Sequence, residues 1–125
     1  MPTDRNDSIL IVENEPLIAM DLEAMLASAG FHGVTHVVSC EAAMLWLEQS
    51  SPRLAILDLQ VADGTTTPVA ESLRDARTPF VIYSGHSRED AARAGVFDHA
   101  VWLPKPCTEG DLVAAVHRAL GLPLG

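Results

Sequence analysis

Ser8-Ile9-Leu10-Ile11-Val12-Glu13-Asn14-Glu15-Pro16 opens the patterned part of a 125-residue chain. Ile9 to Val12 is an unbroken apolar run with no polar alternation, which predicts a strand buried on both faces. It stops abruptly at Glu13-Asn14-Glu15. Pro16 suits the first turn of a helix. Ile18, Leu22, Met25, Leu26 and Ala29 follow at helical spacing, and Gly30 supplies a stop. A covered strand that runs straight into a helix is the first half of a β-α-β unit.

Outward from this segment the same pattern recurs. Val34 to Val38 reads as a second strand, and Ser39 caps a helix to about Gln49. Leu54 to Leu57 is a third strand, ending at Asp58. After a loop through Gly64, Thr67-Pro68 opens a helix with Val69, Ala70 and Leu73 inward. Phe80 to Tyr83 is a fourth strand, ending at Ser84-Gly85, and Ser87 to Asp90 has capping-box spacing. Ala100 to Leu103 is a fifth strand, ending at Pro104-Lys105-Pro106. Thr108 to Asp111 repeats the cap, and Leu112, Val116, Ala119 and Leu120 line a last helix stopped by Gly121. Five β-α units in this order predict an α/β fold, with a doubly wound parallel five-stranded sheet covered on both sides.

Composition narrows the function. Seventeen acids against eight bases give a net charge of −9, which argues against a nucleic-acid partner. Residues 1–60 hold nine acids and two bases, so the imbalance is concentrated there. No apolar run is long enough to span a bilayer, and the polar N-terminus does not read as a signal peptide. Cys40 and Cys107 lack metal-ligand spacing and read as free thiols. These features place the expected protein in the cytoplasm, away from membranes.

Open parallel sheets bind ligands at the carboxyl ends of their strands. Here those ends carry Glu13, Asn14 and Glu15, then Asp58, Ser84 and the single lysine, Lys105. Strand two ends at Ser39-Cys40, which offers no comparable charge. Asp58 is placed to attack a phosphoryl group. A hard cation such as Mg²⁺, held by Glu13 and Asp58, would neutralise charge on both partners. Lys105 would pair with one phosphoryl oxygen and Ser84 would donate to another. An enzyme of the flavodoxin or phosphatase type would need a glycine- and hydroxyl-rich loop after the first strand, which is missing.

With these residues placed, the chain resembles a response-regulator receiver domain of bacterial two-component signalling. The likeness rests on Ile9 to Pro16, Leu57-Asp58, Ser84-Gly85 and Leu103-Pro104-Lys105-Pro106. It implies a flavodoxin-like (βα)5 fold with strand order 2-1-3-4-5 and a cis Lys-Pro bond. Residues 8–121 would be the receiver, with 1–7 a disordered tail and 122–125 a short C-terminal tail. The resemblance implies phosphotransfer from a histidine kinase, or a phosphotransfer protein, onto Asp58. Glu13, Asn14, Asp58 and the backbone carbonyl of Gln60 would hold Mg²⁺. Ser84 would be the switch hydroxyl, and Trp102 would stand at the switch aromatic position. The module would be no enzyme beyond its own phosphorylation and dephosphorylation. It would signal to a downstream protein by contact, and Met1 favours a stand-alone chain over an excised domain.

Three departures from the family pattern carry consequences. Asn14 stands where the second acid of the pair is usual, so Mg²⁺ should bind weakly, and the neighbouring Glu15 points elsewhere. A metal-impaired pseudo-receiver, acting as a phosphorylation-independent interaction module, is the alternative. The segment from Asp58 to Gly64 is short, and the Gln60 amide either orients a water or is simply solvated. Trp102 replaces the usual Tyr or Phe, and is either a switch, a partner-facing side chain or plain packing. The segment Pro79 to His86 also resembles an alphaproteobacterial subgroup whose fourth strand ends in Phe-Ala-Thr-Gly-Tyr. That likeness implies a kinase of the HWE type. The five histidines (His32, His36, His86, His99 and His117) read as surface or half-buried packing, with His86 notable for following the switch loop.

Overall fold

The computed structural model describes residues 8–85, 95–97 and 100–121. The cap at Ser87–Asp90, the helix it would open, His86, His99 and both tails lie outside them. Within the described residues the order is β1 (Ser8–Val12), α1 (Pro16–Ser28), β2 (Gly33–Val37), α2 (Cys40–Gln49) and β3 (Leu54–Leu57). A short pair follows, β4 (Gln60–Val61) and β5 (Gly64–Thr65). Then come α3 (Thr67–Asp75), β6 (Phe80–Ser84), a 3-10 turn (Gly95–Phe97), β7 (Val101–Pro104) and α4 (Glu109–Leu120).

The main sheet is parallel, in the order β2-β1-β3-β6-β7. Counted among main-sheet strands alone this is the expected 2-1-3-4-5. Strand alternation splits the core in two. Leu10, Val12, Ala55, Leu57, Phe80 and Ile82 pack with Ala43 of α2 and with Val69 and Leu73 of α3. Ile9, Ile11, Leu54, Ile56, Val81, Tyr83 and Leu103 pack with Leu22 and Leu26 of α1 and with Leu112 and Val116 of α4. Strands covered on both faces need apolar residues throughout, which is why the runs lack alternation.

Local signals act as expected at most helix ends. Pro16 begins α1. The Ser39 hydroxyl accepts from the Ala42 amide at 3.0 Å. Thr108 and Asp111 form a full capping box, and Gly121 adopts φ 73° after α4, a conformation that favours glycine. Four readings shift. β2 and β7 lie one residue off the expected spans, at Gly33–Val37 and Val101–Pro104, while β6 extends to include Ser84. Ala29 is exposed because it terminates α1 instead of lining its inner face, a role that falls to Ala19, Leu22 and Leu26. β2, at the sheet edge, is only half-buried. The expected loop through Gly64 contains a hairpin, with Gln60 opposite Thr65 and Val61 opposite Gly64.

Among the described residues no helix is long and apolar enough to cross a membrane. The central strand should be the most sensitive point of the core. Ile56→Ala, at a fully packed position between β1 and β6, is expected to cost about 2–5 kcal/mol in urea unfolding, while leaving the sheet intact.

Candidate functional site

β1 and β3 lie side by side, with β2 continuing on one side and β6 and β7 on the other. Their carboxyl ends therefore meet where the winding direction reverses, a natural ligand position. Glu13 follows β1 and Asp58 follows β3, each held by a continued ladder bond. The Glu13 amide donates to the Val37 carbonyl and the Asp58 amide to the Val12 carbonyl, both at 3.0 Å.

Lys105 reaches this edge from the far strand. Its amide donates to the Ser84 carbonyl at 3.2 Å, which fixes its backbone beside β6. The Lys105-Pro106 bond is cis, as the resemblance implied. The Lys105 Nζ donates to Glu13 Oε1 at 2.8 Å and to Asp58 Oδ2 at 3.0 Å. Glu13 is 1% exposed, and the lysine side chain only 18%. A buried carboxylate of this kind requires a partner. Burial alone would lower the lysine pKa, but the hydrogen bonds and charges of Glu13 and Asp58 outweigh it and raise the value above the ordinary range. Lys105 is therefore charged at neutral pH.

The remaining expected residues divide. Ser84 is buried at the end of β6, next to β7. Asn14, Glu15 and Gln60 are exposed at the same edge. The Glu15 amide donates to Glu13 Oε2 at 3.0 Å, and the Gln60 amide to Asp58 Oδ1 at 3.5 Å, so each carboxylate has a second anchor. Trp102 pairs in register with Ile82 and is half-buried against the α2–α3 side of the sheet. Its indole donates to the Phe97 carbonyl at 3.4 Å and meets the Phe97 ring edge-on at 6.4 Å.

Three supporting residues were not singled out from sequence. Thr66 caps α3 by position, yet its hydroxyl donates to the Asp58 carbonyl at 2.7 Å instead of accepting from the helix. Fully buried, it pins the acid's backbone. His36 was read as packing, but its Nε2 lies 2.6 Å from the Glu13 carbonyl. A carbonyl only accepts, so that nitrogen carries the proton. Asp63, in the turn of the β4–β5 hairpin, accepts from the Cys40 and Glu41 amides at 2.7 and 3.0 Å. The strand-two end is therefore not without charge: the segment after Asp58 delivers a carboxylate to the first turn of α2. A turn acid beside Gly64 is the signal that could have suggested this, although its partner was not legible. Cys40 sits in the same contact. Burial first, and Asp63 second, push its thiol up to about 11, so it stays protonated.

A family model for the response regulator receiver domain matches residues 9–117. The phyllosphere-induced regulator PhyR of Methylorubrum extorquens is 32% identical over 124 residues, covering 96% of this chain and 46% of the relative. The solution structure of SdrG from Sphingomonas melonis Fr1 is 37% identical with a TM-score of 0.77, covering 92% of this chain and 96% of that one. The receiver domain of the Pseudomonas aeruginosa sensor histidine kinase PA1611, solved with magnesium in its active-site cleft, shares the fold at a TM-score of 0.79 and 22% identity. That match covers 91% of this chain and 97% of the other. The chain belongs to the response regulator receiver domain family and is thus a module of two-component signalling. It spans about half the length of the curated relatives it matches.

The hairpin latch has a testable pH signature. The Cys40 amide, then the Glu41 amide, hold the Asp63 carboxyl below its ordinary pKa. A depressed acid stabilises the fold above its unfolded pKa and loses that contribution as pH falls through the folded value. Asp63→Ala should therefore melt at a lower temperature than wild type near neutral pH. The gap should close as the pH falls below about 4. Circular dichroism melts at several pH values would show this, and a gap independent of pH would contradict the latch.

Proposed function

We propose that this receiver takes a phosphoryl group onto Asp58 from the phosphohistidine of a histidine kinase or phosphotransfer protein. The observation that carries the reading is the position of Asp58 Oδ2, 3.0 Å from the chain's single lysine at the switch point of the sheet. In the transfer an Asp58 carboxylate oxygen forms a bond to phosphorus as the phosphorus–nitrogen bond of the donor breaks. The departing imidazole keeps the electron pair and takes up a proton. Lys105 pairs with a phosphoryl oxygen as charge builds on it, and Ser84 donates to another.

Mg²⁺ suits this donor set. One cation, the lysine ammonium, already reaches Glu13 Oε1 and Asp58 Oδ2 together. Mg²⁺ typically uses one or two carboxylates and fills its remaining positions with water and phosphate oxygens. Glu13, Asp58, the Gln60 carbonyl and the Asn14 amide oxygen would hold it. When bound, it would neutralise the charge of the incoming phosphoryl group. Asn14 gives this site one full charge fewer than an acid would, so binding is weak.

Residues 8–121 act as the receiver, with 1–7 and 122–125 as tails. Trp102 occupies the switch aromatic position without a hydroxyl. Output is by contact with a downstream protein, and the donor kinase is of the HWE type, in keeping with the likeness of Pro79 to His86 to that subgroup. The module turns over no separate substrate and works in the cytoplasm. The second reading, a phosphorylation-independent interaction module, is favoured by Asn14, which stands where a second acid would otherwise add a full negative charge to the metal site.

Intact mass after incubation with acetyl phosphate and Mg²⁺ separates the two readings. One added phosphoryl group is expected on the wild type and none on Asp58→Asn. No gain with acetyl phosphate or with a phosphorylated kinase would favour the interaction module. Titration followed by intrinsic fluorescence should also show tighter Mg²⁺ binding in Asn14→Asp, and equal affinities would refute the role given to Asn14.

A further inference from the structure

Tyr83 is the chain's single tyrosine, and it lies one residue before Ser84 on β6. Its side chain is on the α1–α4 side of the sheet, the face opposite Ile82, and it is buried there. The Lys105 Nζ stands 5.3 Å from the centre of its ring. That is within the distance at which a ring face attracts an ammonium. Cys107, two residues beyond the lysine, packs against the same cluster of side chains as Tyr83. The Ser84 carbonyl receives the Lys105 amide from the same strand. Lys105 is thus bracketed by β6: backbone to Ser84 and ammonium to the Tyr83 ring.

The two carboxylates that hold Lys105 cannot serve it alone once phosphorylation begins. Glu13 and Asp58 are the groups a divalent cation would draw on, and Asp58 surrenders an oxygen to phosphorus. The aromatic face is the partner whose interaction with the ammonium is unaltered by either event. Burial, then the Cys107 contact, push the phenol up to about 12, so the ring presents itself neutral.

We propose that Tyr83 is a positioning residue, whose ring face keeps the Lys105 ammonium at the acceptor edge while its carboxylate partners are engaged elsewhere. The inference rests on the phosphoacceptor reading for its function but not for its geometry, and the experiment separates the two. Lys105 and Tyr83 are each unique in the chain. Lysine labelled with carbon-13 therefore gives one ε-methylene signal, and any cross-relaxation to tyrosine ring protons is unambiguous. The native protein should show that cross-peak and a ring-current shift of the ε-methylene. Tyr83→Phe should keep the shift and Tyr83→Leu should lose it.

The rate of phosphorylation by acetyl phosphate should fall about three- to tenfold in Tyr83→Leu and stay near wild type in Tyr83→Phe. Loss of the ring-current shift in Tyr83→Leu follows from removal of the ring itself, so the positioning role is read from the rates of Tyr83→Leu and Tyr83→Phe, compared with their stabilities in urea. An absent cross-peak in the native protein, or equal rate losses in Phe and Leu, would overturn the proposal. The native cross-peak needs no variant, so a failure of Tyr83→Leu to fold does not remove the test. If the wild type itself gains no phosphoryl group, the phosphoacceptor reading fails, while the lysine signal still decides whether the ring holds the ammonium.

Discussion

The ion triad of Glu13, Lys105 and Asp58 is the constraint around which the functional edge is organised. Glu13 is almost fully buried, and an ionised carboxylate there is costly without a cation in contact. Lys105 supplies the cation from a position 92 residues later in the chain. The contact joins the end of β1 to the loop after β7, and passes Asp58 on the way. The sheet order makes this possible, because β3 and β6 are the strands between β1 and β7. The acidic first half of the chain thereby gains a local meaning: part of its excess negative charge faces one cationic centre.

Around the triad, backbone contacts settle the acid that would react. Thr66 gives up its role as a helix cap to hold the Asp58 carbonyl. His36 holds the carbonyl of Glu13 from the edge strand. Asp63 carries the far end of the loop after Asp58 to the start of α2. Thr66 and His36 hold the two acids through their main chains, while the carboxylates engage Lys105 and the Glu15 and Gln60 amides. Groups that must change partners are better supported from behind than from in front.

Strand runs, helix faces and caps were legible because each is a local signal. Ile9 to Val12 lacks alternation, and Thr108–Asp111 has the spacing of a cap. The chemistry-bearing residues were legible too, because strand ends in a parallel sheet share one edge. What escaped was pairwise and long-range. Asp63 reads as an ordinary turn acid until α2 is seen beside it. Tyr83 reads as one more apolar strand residue until Lys105 lies over its ring. Trp102 left three readings open. It is half-buried, with Phe97 at its edge and a carbonyl at its indole nitrogen, contacts that depend on the crossover preceding β7.

The central claim is that Lys105 and Glu13 depend on each other. A double-mutant cycle in urea tests it most directly, using Glu13→Gln, Lys105→Met and the pair. Lys105→Met alone should be destabilising, because it strands a buried carboxylate beside Asp58. Adding Glu13→Gln should recover much of that loss, giving a coupling of about 1–3 kcal/mol. Strictly additive effects would contradict the account.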